Sequence, residues 1–448
     1  MSNIFFVSLG CDKNLADTEM MLHLLTKEGH TITDNEAEAE IIIINSCCFI
    51  GDAKEESINT IIEMGEYKES GKCRGIILTG CLAQRYPEDI RKDLPEVDVL
   101  VGTLAIDKIC LAVNDALKGI RSNYFEDINR APFVCSQVIT TGGHYGFLKI
   151  AEGCNKRCSY CIIPSVRGNY RSVPMERILE NAKEMVKSGV KELILVAQET
   201  TLYGTDIYGK KKLPELLTKL CEIDGIVWIR ILYCYPEEIT DELIAVMKKE
   251  PKICHYIDMP IQHASDDVLR RMGRRTTRAE ITERIREIRK EIPDICLRTT
   301  FITGFPGETE EDHRILLDFV SEIRFDRVGV FTYSPEENTR ACSMPGKVPE
   351  RLKKKRQLEI IKIQQNIAFE KAKALRRTNL LAMIEGEIVS EEDRRCYVAR
   401  TYMDSPSVDG YLFINTDGDY MSGDFVNVTV TGSHEYDLIG EISEVQKS

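Results

Sequence analysis

Cys154-Asn155-Lys156-Arg157-Cys158-Ser159-Tyr160-Cys161 follows directly on the apolar run Phe147-Leu148-Lys149-Ile150. Three thiols separated by three and then two residues can converge on one small inorganic core, and thiolates are the ligands that iron–sulfur clusters use. The fourth thiol of a complete cage is missing, because the next cysteine is Cys221. A three-cysteine site leaves one iron open to a ligand that the protein does not supply. The spacing therefore predicts a cluster-binding loop at the end of a buried strand.

Further apolar runs follow at Leu193–Val196, Val227–Ile231, Tyr256–Asp258, Leu297–Ile302 and Val328–Phe331, with charged helical stretches such as Met175–Ser188 and Arg278–Glu291 between them. Six strand–helix units predict an open, partial version of the parallel α/β barrel, in which chemistry sits on loops at the carboxyl ends of the strands. Polar residues fall on that rim: Gln198-Glu199-Thr200-Thr201 after the second run, Gln262-His263 after the fourth, and Gly304-Phe305-Pro306-Gly307-Glu308-Thr309 after the fifth. The last of these lacks the Gly-Lys-Ser/Thr of a nucleotide P-loop and equally suits a tight turn with a helix cap. His263 equally suits a structural role. Arg230 and Arg298 lie inside strands, where an unpaired guanidinium is costly; a bound carboxylate or an internal partner such as Glu199 would satisfy either.

Upstream, Ile4–Val7, Ile41–Ile44, Ile76–Leu78 and Val99–Val101 read as buried parallel strands separated by helical patterns such as Met20–Leu25, a doubly wound α/β layout. Cys11, Cys47 and Cys81 each follow one of the first three strands. The carboxyl ends of parallel strands share one edge, where such folds bind ligands. A second three-cysteine site with an open iron is the expectation, against the alternative of three small buried hydrophobes. Cys47 is preferred to its neighbour Cys48. Gly10 and Gly80, preceding Cys11 and Cys81, would let the backbone approach a bulky ligand.

Residues 119–143 lose periodicity and carry Gly119, Pro132 and Gly142-Gly143, as a connector would. Lys347 to Arg377 reads as a basic helix with eleven Lys/Arg and three Glu. It suits nucleic acid or a solvated helix packed across the barrel by Leu352, Ile360, Ile363 and Ile367. Residues 380–448 change to short alternating patterns with glycine turns, about five strands, as in a small barrel of the OB kind. Fourteen Asp/Glu against four Lys/Arg place −10 of the net charge of −13 there, which repels polyphosphate and suits a basic protein. The expected organisation is an α/β chain of 448 residues: a doubly wound domain over 1–120, a connector over 121–143, a partial (β/α)6 barrel with the basic helix over 144–377, and the small β-barrel over 378–448.

Composition sets the outer bounds. With 43% apolar and 29% charged residues, the chain is that of a soluble globular protein. No apolar run approaches the ~18 residues of a membrane span, and Met1–Cys11 lacks the basic region and apolar length of a signal peptide. A cytoplasmic protein without a membrane partner is expected. In such a chain sixteen cysteines point to metal or catalysis before disulfides.

Taken together these motifs resemble the methylthiotransferases of the radical S-adenosylmethionine superfamily, over essentially the whole chain. Cys154, Cys158 and Cys161, with an aromatic residue before the last, look like the superfamily signature. Cys11, Cys47 and Cys81 match the family's N-terminal auxiliary-cluster domain, and the C-terminal barrel is similar to the TRAM domain. Gly10-Cys11-Asp12-Lys13-Asn14-Leu15-Ala16-Asp17-Thr18-Glu19, Gln198–Gly204 and Tyr233-Cys234-Tyr235-Pro236 look like the ribosomal-protein branch rather than the tRNA branches. Glu199 stands where that branch usually has Asp, and Ser46 where it has Thr. The resemblance implies 3-methylthiolation of an aspartate on small-subunit ribosomal protein twelve; the alternative is a tRNA adenosine 2-methylthiotransferase. It implies two 4Fe-4S clusters on the two cysteine sets, S-adenosylmethionine on the open iron of the first, and an electron donor such as flavodoxin or ferredoxin. Tyr160, Gly304 and Gly307 would flank the adenosine, and Arg298 and Glu199 would meet the polar ends of that cofactor.

Overall fold

The computed structural model describes residues 1–388 and 395–443. The N-terminal sheet is six-stranded and wholly parallel, in the order Thr31–Ile32, Asn3–Ser8, Ile41–Ser46, Gly75–Gly80, Val97–Val101, Ser122–Tyr124. Its centre is dictated by the isoleucine run. Ile42 and Ile44 enter the core on one face and Ile41 and Ile43 the core on the other, so the strand needs apolar residues at every position. The two edge strands were not foreseen from the sequence. Thr31–Ile32 is exposed and Ser122–Tyr124 is polar and lies in the stretch expected as a connector. The strand order reverses between Asn3–Ser8 and Ile41–Ser46, and in such sheets a crevice opens at that point.

The central sheet runs Tyr145–Lys149, Glu192–Val196, Trp228–Ile231, Ile253–Gln262, Cys296–Thr303, Arg327–Thr332, parallel and in chain order, without closing. This is the open six-unit barrel that the periodicity predicts. The helix Glu350–Ala374 covers its last strand. Gln357 Nε2 donates to the carbonyl of Val330 at 2.7 Å and Gln364 Nε2 to that of Phe325 at 2.9 Å, supplying partners along an otherwise open edge. Ile360 and Ile367 are buried beneath it. Two of the helix's charges also turn inward, Lys353 to the carbonyl of Tyr333 at 2.7 Å and Arg356 to Glu308 at 2.9 Å. The helix is thus a packed element of the domain, and its basic surplus is smaller than the sequence count.

The C-terminal strands Asn379–Ile388, Arg395–Thr401, Leu412–Thr416, Asp437–Ile442 and Phe425–His434 close into a five-stranded barrel in that order. It docks across the amino ends of the central strands. Buried Glu192 takes Arg230 Nε at 2.8 Å and Arg400 Nη2 at 2.7 Å, Asp404 takes Arg327 at 2.5 Å, and the Phe425 ring meets Trp228 edge-on at 4.8 Å. Asp404, Asp409 and Glu385 are used in such contacts, so part of the barrel's acidic surplus faces the core.

Candidate active site at the junction of two sheets

The first cysteine loop sits at the carboxyl end of Tyr145–Lys149, held in place by its backbone. Cys154 N donates to the carbonyl of Gly168 at 3.1 Å and Ser159 N to that of Met272 at 2.8 Å. Cys154 and Cys158 are buried and Cys161 is partly exposed; all are free thiols. The amide of Lys156 points at Cys154 Sγ (3.4 Å) and the Tyr235 hydroxyl lies 3.5 Å from Cys158 Sγ. Burial pushes the Cys154 thiol up to about 11, so a thiolate there at neutral pH requires a compensating cation. Among the described residues no three His, Cys, Asp or Glu side chains close around a single-ion site. A cluster places its thiolates on different irons and needs no such closure.

Cys11, Cys47 and Cys81 gather at the crevice of the N-terminal sheet. Cys11 caps the helix Asp12–Lys27 and Cys81 opens the helix Cys81–Arg85; burial raises the Cys81 thiol above its usual range. Gly10 and Gly80 both have φ of +90°. A Cβ on Gly10 would lie 2.9 Å from Cys47 Sγ, and one on Gly80 2.5 Å from the carbonyl of Ser46. The close approach that glycine permits is therefore between neighbouring strand ends rather than to a ligand. Cys47 faces Gly10, and burial, with Cys81 and Cys11 nearby, pushes its thiol up to about 12. Cys48 is wholly buried in the same apolar core as Cys81 and also feels Cys81.

One segment joins the two sites. Tyr233, in a left-handed conformation with φ of +61°, lies among Asp12 and Cys11, whereas Tyr235 meets Cys158. The turn after the third central strand thus presents alternate residues to the two cysteine sets. Behind it runs a buried ionic group that the sequence reading missed. Lys13 Nζ donates to Glu152 Oε1 at 2.7 Å, Lys149 pairs with Asp17 and Glu152, and Arg167 reaches Asp17 at 2.6 Å and Asn14 Oδ1 at 2.6 Å. Asn14 Oδ1 in turn lies 3.9 Å from Cys81 Sγ. The available signal was the helix Asp12–Lys27 itself, whose buried face includes Lys13, Asn14, Asp17, Thr18 and Glu19.

Glu199 is fully buried beside Cys154; burial raises its carboxyl to about 8 and its Oε2 has no partner, while Oε1 accepts from Thr201 N at 3.1 Å. Tyr160 packs edge-on against Phe305 at 6.4 Å, which brings it beside the Gly304–Gly307 turn. At Gly304 and Gly307, however, a Cβ would strike Lys353 Cγ and Arg271 Nη1, and Thr309 caps the following helix with Asp312. These two glycines make room for protein side chains. Arg298 corrects a second expectation: Asp258 holds it at 2.8 Å and Asp409 lies 3.6 Å away, so it offers no free guanidinium. The pairing was hidden because Asp258 lies on the neighbouring strand. Arg230 pairs with Glu192, not with Glu199. His263 is buried, and burial drives its ring down to about 3; Nδ1 accepts from Ser265 N at 3.0 Å.

The sequence matches the Radical SAM superfamily over residues 148–320, the Uncharacterized protein family UPF0004 over 3–102 and the TRAM domain over 379–442. Among solved structures, the fold resembles the radical S-adenosylmethionine methyltransferase TsrM from Kitasatospora setae with cobalamin and a [4Fe-4S] cluster bound, at a TM-score of 0.56, 14% identity and 76% and 77% coverage of the two chains. Fold and cysteine loop together define a radical S-adenosylmethionine transferase. The chain is 60% identical to the ribosomal protein uS12 methylthiotransferase RimO of Lachnoclostridium phytofermentans, over 98% of this chain and 99% of that protein. It is 49% identical to the protein of that name from Pelotomaculum thermopropionicum, covering 98% of both. The chain belongs to the RimO family of methylthiotransferases.

Proposed function

We propose that this chain adds a methylthio group to the β-carbon of an aspartate in ribosomal protein uS12, using S-adenosylmethionine and two 4Fe-4S clusters. The observation that carries this reading is the shared wall: Tyr233 faces Cys11 and Asp12 while Tyr235 faces Cys158. Cys154, Cys158 and Cys161 would hold one cluster, and Cys11, Cys47 and Cys81 the other. When bound, these groups supply the radical chemistry and the sulfur for an unactivated C–H bond, which no side chain can attack. The chain's own residues orient the reactants. Glu199 Oε2, buried without a partner, would accept from the ammonium of S-adenosylmethionine and would ionise on doing so. Tyr160 would line the adenosine side. The carboxylates that the C-terminal barrel leaves exposed, such as Asp417, Glu435 and Glu441, suit a basic ribosomal protein. A flavodoxin or ferredoxin would supply electrons, in the cytoplasm.

The test is mass spectrometry of uS12 and of bulk tRNA from cells with and without the gene. Loss of the mass of SCH3 in place of H from uS12 alone is the expected result. Its loss from tRNA alone would assign the chain to adenosine modification instead.

A further inference from the structure

Arg274 is a buried cation with no carboxylate in ion-pair range among the described residues. It is delivered by the turn after the helix Asp266–Met272, whose last residues are pinned to the first cysteine loop: Ser159 N donates to the carbonyl of Met272 and Ser159 Oγ to that of Arg271, both at 2.8 Å. Gly273, at φ of +76°, turns the chain so that Arg274 N bonds back to the carbonyl of Leu269 at 2.9 Å. The side chain is 6% exposed. Nη2 donates to the carbonyl of Pro260 at 2.9 Å, whereas Nε and Nη1 have no acceptor. Its guanidinium lies 4.0 Å from the centre of the Tyr235 ring, and the hydroxyl of that ring lies 3.5 Å from Cys158 Sγ. Glu237, within electrostatic reach, is already held by Lys156 at 3.2 Å. A buried guanidinium with two unmatched N–H groups is costly to desolvate, and a nearby anion would offset that cost.

We infer that Arg274 is the charge partner of the cluster on Cys154, Cys158 and Cys161, its guanidinium offsetting the anionic thiolates and so favouring uptake of an electron. This rests on the cluster assignment proposed above. A cation beside a cluster stabilises its reduced, more negative state, and net charge and hydrogen bonding are what set such potentials. Arg274 is thus a positioning and tuning residue; it touches no reacting atom in this account.

The experiment is an anaerobic, spin-resonance-monitored reductive titration with dithionite. The protein is full-length and reconstituted, carries Cys11, Cys47 and Cys81→Ala, and therefore reports one cluster. Arg274→Met should retain the iron and shift the midpoint to lower potential, and Arg274→Lys should restore most of it. An unchanged midpoint in Arg274→Met with iron retained overturns the inference. If Arg274→Met binds no cluster, Arg274→Lys decides: a midpoint near that of the parent supports the inference, and loss of the cluster there too overturns it as mere packing. A parent protein that binds no cluster overturns the assignment of the three cysteines itself.

Discussion

Glu199 shows what burial does to a single functional group. Its carboxyl normally titrates near 4.5, and burial raises it to about 8, with the Thr201 hydrogen bond and Lys156 opposing. Below about pH 4.5 the group is protonated in folded and unfolded chains alike. Between about 4.5 and 8 the unfolded chain releases the proton and the folded one retains it, so cofactor-free protein loses stability as pH rises through that window, by at most about 1.4 kcal/mol per unit. Glu199→Gln removes this slope. Calorimetric melting of both cofactor-free proteins from pH 4.5 to 8 should show the wild type falling relative to the variant; parallel curves would contradict the assignment. The position of Glu199 was legible in the sequence because it follows a strand on the catalytic rim. Tyr235 stood out only as part of the Tyr233–Pro236 string, and Arg274 had no comparable signal, since neither its turn nor its stacking on Tyr235 has a periodic signature. Arg298 misled because its partner Asp258 is adjacent only once the strands are paired.

The helix Asp12–Lys27 teaches the same lesson one level up. Apolar periodicity finds Met20–Leu25, but half of the helix's buried residues are polar or charged, and periodicity is blind to them. They are buried because the helix lies between two domains, with Lys13 and Asp17 meeting Lys149, Glu152 and Arg167 of the central one. Three cations face two carboxylates in this group, which leaves one positive charge in excess beside Cys81. Removing a carboxylate leaves three buried cations against one. Glu152→Gln should therefore destabilise the folded protein by about 3–5 kcal/mol, read as a shift in urea midpoint at unchanged slope. A change below about 1 kcal/mol, the range of exposed pairs, would show that water reaches the group. The loop glycines make a complementary point. Gly10 and Gly80 were recognisable as special, but the atoms they spare belong to Cys47 and Ser46, and only the folded strand ends reveal that.

For the whole molecule, the order of three domains follows from sequence pattern, while their contacts do not. The acidic C-terminal barrel gives Asp404, Asp409 and Glu385 to Arg327, Tyr256 and His144, so a count of charges overstates the surface left for a basic partner. The N-terminal sheet brings its crevice to the carboxyl ends of the central strands, and the two cysteine sets meet across Tyr233 and Tyr235. A cluster on each set would let sulfur delivery and hydrogen abstraction act on one carbon. Iron and sulfide analysis after anaerobic reconstitution tests directly whether each set holds one. The wild type should bind two 4Fe-4S clusters, and replacing either Cys154, Cys158 and Cys161 or Cys11, Cys47 and Cys81 by alanine should leave one. An iron content unchanged by either triple substitution would contradict the account.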